Sequence, residues 1–254
     1  MVGVGRAEAS RIAHRRHPIA APISELNARE LLGWLSPPPG GRVLDLGCGE
    51  GEWLLTLLAA HPDVKAVGVD VAASALDLAR SSAERRGLDG RTTWIADDAA
   101  TWKDGLFDVV LCVGATHAFG GLDKTLDAVR AHLRPGGQAV VGDGFWEVAP
   151  SGAALAALDA VPGDFPDLPG LVQRAREHGF EPGYGHVSTL AEWDEYEWSW
   201  TASLTEWALR EAPDEQQRQE ALGIAREHRS GWLGGYRGVL GFATLVLHPT
   251  EGCA

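Results

Sequence analysis

The sequence predicts an α/β fold built on a mainly parallel β-sheet, and three observations lead to this fold class. Short apolar runs typical of buried strands alternate with longer segments of helical periodicity, as in repeated βαβ units. The first such run, at residues 43–46, leads into glycines at every second position, Gly47, Gly49 and Gly51. A helical apolar pattern begins directly afterwards at Trp53. This order opens a nucleotide-binding unit, because glycine lets the backbone turn sharply and lie close to a ligand.

The composition is that of one large globular domain. The chain has 254 residues, of which 45% are hydrophobic, enough for a substantial core. No apolar run reaches the roughly 18 residues that a membrane-spanning helix needs, and the first residues do not read as a signal peptide. The three cysteines Cys48, Cys112 and Cys253 are widely spaced, which favours neither a disulfide framework nor a zinc site. We therefore expect a cytoplasmic protein without a metal or a membrane partner.

The charge balance indicates which partners are unfavourable. The net charge is −13, whereas a general nucleic-acid binder needs basic patches for the phosphates. One basic cluster, Arg11 with residues 14–17, is the exception, and we interpret it as a solvated helix face. We therefore expect no nucleic-acid partner. The sequence leaves monomer and homodimer open.

The glycine turn itself indicates the kind of ligand. The dinucleotide fingerprint would place a third glycine at position 52, where this chain has Glu52. Glu50 and Glu52 favour the helix dipole but would repel a pyrophosphate at the helix N-terminus. Asp45 adds a further acid at the end of the strand. These charges suit a ligand that is positively charged and carries no phosphate.

The remaining elements follow from periodicity and from breaks at proline and glycine. Before the first strand, residues 10–17 are predicted to form a short helix that ends at Pro18, and Ser24 is the predicted N-cap of a second helix. A Pro-Pro-Pro-Gly-Gly break at residues 37–41 separates that helix from the strand. Downstream, the predicted strands are 65–70, 91–96, 107–113 and 138–142, and the predicted helices are 53–60, 74–86 and 122–132.

Residues 43–51, Val-Leu-Asp-Leu-Gly-Cys-Gly-Glu-Gly, resemble motif I of the class I S-adenosylmethionine-dependent methyltransferases. The cofactor of that family is a nucleoside with a sulfonium and an amino-acid tail, which agrees with the charge argument. An Asp-Ala pair at Asp98 and Ala99 and a Leu-x-Pro-Gly-Gly turn at residues 133–137 follow in the family's order. The resemblance covers roughly residues 40–145.

The resemblance implies a Rossmann-like three-layer sandwich with a seven-stranded, mainly parallel sheet. Its strand order would be 3-2-1-4-5-7-6, with the last strand antiparallel, and residues 183–188 and 239–248 supply the last two strands. The chain would then be a single methyltransferase domain. Its expected parts are an N-terminal helical cap at 1–36, a cofactor-binding core at 37–148 and a helical lid inserted at 189–237.

The expected cofactor is S-adenosyl-L-methionine, and Asp70 is the leading candidate contact. It ends the second strand about 20 residues beyond the glycines, where an ionised carboxylate can accept from both ribose hydroxyls. The alternative is a loop aspartate that caps the next helix. The resemblance implies that Asp98 with Ala99, or else Asp97, holds the adenine amino group, unless these are solvated turn residues. The full predicted cofactor set is Asp45, Gly47, Cys48, Gly49, Asp70, Val71, Asp97, Asp98, Ala99 and Cys112.

The loop after the fourth strand carries the candidate catalytic residue. Strand ends at this edge point toward the ligand crevice, and in the family this loop lies beside the transferable methyl group. His117 is therefore a candidate general base, although it could equally orient a carbonyl or pack. Tyr196, Glu197 and His186 are the next candidates.

The long insertion is rich in tryptophan and glutamate. Trp193, Tyr196, Trp200 and Trp207 fall on one helix face, and such an aromatic stripe is more often core than ligand site. Aromatic faces with nearby acids also attract cationic or nitrogenous substrates, and a helical lid buries small substrates. The predicted substrate-binding residues are His17, Trp146, His186, Trp193, Tyr196, Glu197 and Trp200.

A looser resemblance, to a group of bacterial methyltransferases, rests on three segments: His17 to Pro22, a C-x-G-A-T loop at 112–116 and a W-D-x-Y-E helix at 193–197. It identifies no substrate. That group often has an aromatic residue where this chain has His117, which indicates a different substrate or chemistry.

We therefore expect methyl transfer to a small-molecule oxygen or nitrogen nucleophile by in-line displacement. Three alternatives stay open: a nicotinamide-dependent reductase, a non-catalytic cofactor-binding regulator, and a methyltransferase acting on RNA or protein.

Overall fold

A computed structural model describes residues 4–250, and these residues form two compact units. The sheet unit comprises residues 24–145, 166–187 and 242–250, and the helical unit comprises residues 4–23, 146–165 and 188–241. The predicted N-terminal cap therefore divides, with residues 24–36 in the sheet unit. Among residues 4–250, no helix combines the length and apolar character of a membrane span.

The seven strands form one sheet in the order β3-β2-β1-β4-β5-β7-β6. Strands β1 to β5 pair in parallel, and β6 runs antiparallel to β7. The predicted fold class and strand order are confirmed. The strands are β1 (Arg42–Leu46), β2 (Lys65–Asp70), β3 (Thr92–Ala96), β4 (Phe107–Val113), β5 (Leu133–Trp146), β6 (Phe180–Val187) and β7 (Leu240–Pro249).

Nine α-helices lie in the part of the chain that the structure describes. They are α1 (Arg6–Ala13), α2 (Glu25–Leu32), α3 (Glu52–Ala60), α4 (Ala73–Arg85), α5 (Leu122–Ala131), α6 (Gly152–Leu158), α7 (Leu168–Glu177), α8 (Leu190–Arg210) and α9 (Glu215–Gly231). A short 3-10 turn at His14–Arg16 follows α1, and a π-helical turn at Trp232–Tyr236 follows α9.

The sheet unit is held by central strands that are apolar on both faces. Residues Val43 to Leu46 of β1 are all buried, as expected for a strand covered on both sides. Helix α3 packs on β1 and β2, while α5 contacts β4 and α7 contacts β6. Ser24 caps α2 as predicted, since its hydroxyl accepts from the Asn27 N–H at 3.2 Å.

Strand β5 is longer at both ends than the predicted segment 138–142. Leu133 already pairs with Phe107, and a bulge separates this pair from the regular register that begins at Val109 and Gln138. The Pro-Gly-Gly turn that the sequence places before the strand therefore lies within it. Tertiary pairing, which local turn chemistry cannot show, explains the difference.

In the helical unit, the insertion forms the two long helices α8 and α9, which pack against each other. Helix α1 packs on α8. A capping box begins α8, because Thr189 and Glu192 bond each other's backbone N–H groups. Trp207 belongs to the core between these helices, together with Ile12, Leu204 and Ala221. Part of the aromatic stripe is therefore ordinary packing.

Candidate functional site

The glycine turn after β1 contains three residues in the left-handed region, with φ of 79° at Gly47, 51° at Gly49 and 76° at Gly51. A Cβ at Gly47 would lie 2.4 Å from the Cβ of Ala115, and one at Gly51 would lie 2.3 Å from the Trp94 ring. A Cβ at Gly49 would meet nothing within 4 Å. Protein neighbours thus require glycine at the first and third positions, and only Gly49 faces open space.

Asp70, at the end of β2, is held by the same turn. Its Oδ2 accepts from the Gly49 N–H at 2.8 Å, and its Oδ1 accepts from the Ala72 N–H at 2.8 Å. Each oxygen keeps a second lone-pair direction for a further donor. Val71, beside it, is 73% exposed. The carboxylate is therefore fixed in orientation, and its predicted role toward ribose hydroxyls stays a prediction.

Asp45, within β1, is a buried acid with an unused oxygen. The residue is 2% exposed, and its Oδ2 has no hydrogen-bond partner among the described residues. Burial, together with the charge of nearby Asp70, raises the pKa of this carboxyl to about 8. A cationic group brought to this oxygen would favour its charged form.

The end of β3 adds the predicted adenine contacts. The backbone N–H of Asp97 donates to the Asp70 carbonyl at 3.1 Å, which places the ends of β3 and β2 side by side. Asp98 closes a turn by accepting from the Ala100 N–H at 2.9 Å, and Ala99 is buried. Both carboxyl groups belong to exposed residues. The structure brings these residues to the predicted edge, and their adenine role stays a prediction.

The two described cysteines are buried at this edge, and their predicted contacts with the cofactor stay a prediction. Cys48 and Cys112 are free and buried, and burial raises the pKa of both thiols well above the ordinary value. They are therefore neutral and unsuited to nucleophilic chemistry. Cys253 lies outside the described residues.

His117 lies in a 3-10 turn, Thr116–Phe119, that follows β4. Its side chain is exposed, while Thr116 and Phe119 are buried. The Thr116 hydroxyl donates to the Asp143 carboxylate at 2.9 Å. The sequence places Asp143 at a strand end but shows nothing of this pairing, because the two residues meet only through the β4–β5 register.

Several predicted substrate residues meet in the helical unit. The Tyr196 hydroxyl lies 2.9 Å from His14 Nε2, and the His17 ring meets Tyr196 edge-on at 5.3 Å. Trp193 also meets Tyr196 edge-on, with 6.3 Å between ring centroids. Burial lowers the pKa of His14 and raises that of Tyr196, so both groups are neutral at pH 7.

Glu197 is the buried charge of this cluster. It is 2% exposed and accepts from the Tyr236 hydroxyl at 2.7 Å, and His228 Nε2 lies 2.6 Å from its other oxygen. Trp200 stacks on the His228 ring with centroids 3.9 Å apart. We call Tyr196, Glu197, His14, His228 and Tyr236 the polar aromatic cluster.

The other two predicted substrate residues are Trp146 and His186. Trp146 donates to the Pro162 carbonyl at 2.9 Å and meets Phe165 edge-on. His186 belongs to the edge strand β6 of the sheet unit, opposite Thr244. Sequence spacing missed His14, His228 and Tyr236, because helix packing alone brings them to Tyr196 and Glu197.

Residues 4–250 contain no group of three or more His, Cys, Asp or Glu side chains arranged to hold a metal ion. The fold and the strand-end residues instead define a Rossmann-like protein that binds a nucleoside cofactor at the carboxyl ends of parallel strands. Open space beside Gly49, an oriented acid at Asp70 and an unused buried acid at Asp45 fit a cofactor with hydroxyl groups and positive charge.

Similarity to known proteins identifies the family. Residues 43–137 match the family described as a methyltransferase domain. The Escherichia coli K12 protein YjhP is 31% identical over 207 residues, which are 80% of this chain and 83% of that protein. The crystal structure of a SAM-dependent methyltransferase from Geobacter sulfurreducens with S-adenosyl-L-homocysteine has a TM-score of 0.86 at 28% identity, covering 98% of this chain and 100% of that chain.

A further relative is the ubiquinone/menaquinone biosynthesis C-methyltransferase UbiE of Dinoroseobacter shibae. It is 33% identical over 114 residues, and the chain spans only 45% of its length. The chain belongs to the S-adenosylmethionine-dependent methyltransferases, and its cofactor is S-adenosyl-L-methionine. The reductase and the non-catalytic regulator are thereby set aside.

The raised pKa of Asp45 gives the ligand-free protein a pH-dependent stability. Between about pH 4 and about pH 8 the folded protein keeps this carboxyl protonated while the unfolded chain ionises it. The unfolded state then binds fewer protons, so the free energy of unfolding falls as pH rises through this window. Asp45→Asn should flatten this decline when melting temperature is followed by calorimetry.

Asp77→Asn is the matched control for this measurement, because Asp77 is an exposed aspartate of α4 that pairs with Arg80. Its pH dependence of melting should follow that of the wild type. A decline of wild-type steepness in Asp45→Asn would show that Asp45 is already ionised in the folded state.

Gly49 and Gly51 should separate cofactor binding from stability. Both need the left-handed region, where a side chain costs about 1–2 kcal/mol. Gly51→Ala adds a clash with Trp94, and overpacking costs about 1–3 kcal/mol more. Gly51→Ala should therefore lower the melting temperature more than Gly49→Ala does.

Gly49→Ala places its methyl group in the open space of the turn, so it should lose more affinity for S-adenosylhomocysteine than stability. Titration calorimetry beside thermal melting checks both expectations. Equal affinities in wild type and Gly49→Ala would show that the cofactor lies away from this turn.

Proposed function

We propose that this enzyme transfers the methyl group of S-adenosylmethionine to a small-molecule acceptor with an oxygen or nitrogen nucleophile, and that the helical unit binds that acceptor. The polar aromatic cluster carries the proposal. It combines neutral phenol and imidazole groups with one buried carboxylate, Glu197. A small set of polar groups within aromatic surroundings is typical of sites that orient small molecules.

Charge and family support a small acceptor. The net charge of −13 disfavours polyanionic substrates. The printed name of the UbiE relative places that protein in ubiquinone and menaquinone biosynthesis, which concerns small molecules. Aromatic rings and Glu197 together favour an acceptor that bears a protonated or polar nitrogen. The buried free thiols of Cys48 and Cys112 suit a reducing compartment, and we propose the cytoplasm.

The cofactor, when bound, supplies a methyl group already activated by its sulfonium. The chain's own residues then hold the reactants and exclude water. We propose that Asp70 holds the ribose hydroxyls, that Asp45 balances the positive charge, and that Asp98 with Ala99 holds the adenine. Alignment of this kind lowers a barrier by up to roughly 7–11 kcal/mol.

The proton of a hydroxyl or protonated amine must leave during the transfer. We propose that His117 accepts it, since the side chain is exposed on a backbone held between buried Thr116 and Phe119. A neutral imidazole nitrogen is suited to this step near neutral pH.

A panel of small acceptors tests the function directly through the release of S-adenosylhomocysteine. With an accepted substrate, Glu197→Gln and Tyr196→Phe should lower kcat/KM at least about tenfold, because a well-placed buried polar contact is worth more than about 1.4 kcal/mol. Trp198→Phe is the matched control on the exposed side of α8, where Trp198 is 49% exposed, and it should retain the wild-type value. Methyl transfer to RNA or protein but to no small molecule would overturn the proposal.

His117→Ala should lower kcat by about 10²–10⁴-fold with a hydroxyl acceptor, while affinity for S-adenosylhomocysteine stays unchanged. The pH profile of the remaining rate should lose the limb that reports removal of the proton. His178→Ala serves as control, because His178 is bound by Asp127 near the end of α7. Wild-type rate and pH profile in His117→Ala would remove His117 from the reaction.

A further inference from the structure

Three successive residues of the loop after β4 contact neighbouring elements of the sheet unit, two of them β5 and one the glycine turn. The Gly114 N–H donates to the Gly142 carbonyl of β5 at 3.0 Å. Ala115 packs against Gly47 of the glycine turn after β1, which we call the cofactor turn. A Cβ added at Gly47 would lie only 2.4 Å from the Cβ of Ala115. The Thr116 hydroxyl donates to Asp143 at 2.9 Å. The loop is thus attached to β5 on both sides of the residue that covers the cofactor turn.

The burial of Asp143 at this position is energetically unfavourable. It is 9% exposed, and its Oδ1 accepts from Thr116 and also from the Gly144 N–H at 2.8 Å. Beside it lies a cavity of about 10 Å³, too small for more than one water molecule. The other residues that line this cavity are apolar: Leu122, Leu126, Val141, Leu171, Ala175, Leu245 and Leu247.

A buried carboxyl in such surroundings depends on its few hydrogen bonds. Burial raises the pKa of Asp143, while the hydrogen bonds from Thr116 and Gly144 act in the opposite direction. An apolar side chain at position 143 would avoid the desolvation penalty of a buried carboxyl. Packing at this position therefore does not require an acid. What the acid provides is an attachment for Thr116.

The far side of the loop is fixed as well. The Gly121 N–H donates to the Thr116 carbonyl at 3.0 Å, and the Thr125 hydroxyl donates to the Gly121 carbonyl at 2.9 Å. Thr116 is therefore held through both its side chain and its carbonyl. The exposed His117 follows directly, so its backbone has little freedom even though its side chain does.

We propose that Asp143 and Thr116 are positioning residues that hold the loop on the cofactor turn, and that this pair sets the affinity for the cofactor. The effect on cofactor affinity is transmitted through Ala115, which contacts Gly47. Neither Asp143 nor Thr116 needs to touch the cofactor. The same attachment fixes the backbone of His117, a consequence that rests on the proposed function of that histidine.

Binding of S-adenosylhomocysteine to the full chain, measured by titration calorimetry, tests the pair without any acceptor. Thr116→Val removes the hydroxyl at nearly constant shape and should weaken binding about 5- to 30-fold, as expected for one buried hydrogen bond. Thr116→Ser and Asp143→Asn keep the donor and the accepting oxygen, so both should stay within about threefold of wild type. Asp143→Ala should match Thr116→Val.

The double variant Thr116→Val with Asp143→Ala should bind no more weakly than either single variant, because both remove the same interaction. Thr205→Val is the matched control: it removes a threonine hydroxyl of the helical unit, which donates to the Thr201 carbonyl within α8 at 2.7 Å, and it should leave the affinity unchanged. A melting curve for each variant confirms that it is folded at the titration temperature.

Three outcomes would overturn the proposal: wild-type affinity in Thr116→Val, equal loss in Thr116→Ser, or additive losses in the double variant. A purely structural pair would lose thermal stability and keep the wild-type affinity. Because the titration uses no acceptor and no turnover, these outcomes are independent of whether small molecules are methylated or His117 acts as a base.

Discussion

The hydrogen bond from the Gly49 N–H to the Asp70 carboxylate joins the glycine turn of β1 to the end of β2. The Gly47 N–H adds a second link to the Val69 carbonyl at 2.9 Å, and the Asp97 N–H attaches the end of β3 to Asp70 in the same way. Three loops are thus held at one edge of the sheet by backbone donors. This arrangement orients the acid at position 70 without using all of its accepting capacity.

The same edge places two acids close together, and burial keeps one of them, Asp45, protonated in the ligand-free protein below about pH 8. Asp45 lies buried within reach of the field of Asp70, and one of its oxygens has no partner among residues 4–250. Such a group costs stability in the ligand-free protein. A positively charged group brought to this oxygen would offset that cost.

One part of the sequence argument has a different physical basis in the structure. Glu52 was expected to repel a pyrophosphate, but its carboxylate is bound by Arg86, with contacts of 3.0 and 2.6 Å. The missing third glycine and Asp45 therefore still argue against a pyrophosphate, whereas Glu52 no longer does. In the helical unit, likewise, Trp207 of the predicted stripe belongs to the core, whereas Tyr196 and Glu197 belong to a polar network. Helical spacing alone cannot separate these roles, since all of these residues share one helix.

Local chemistry is enough to locate strands β1 to β4, the left-handed glycines, the cap at Ser24 and the acid that ends β2, because each depends on residues close together in the chain. The family resemblance extends this to the strand order. Only the tertiary structure decides which distant side chains meet: Thr116 with Asp143, Glu197 with His228 and Tyr236, and Ala115 with Gly47. Those meetings depend on strand register and helix packing, which arise from the burial of the whole chain and leave no periodic signal in the sequence.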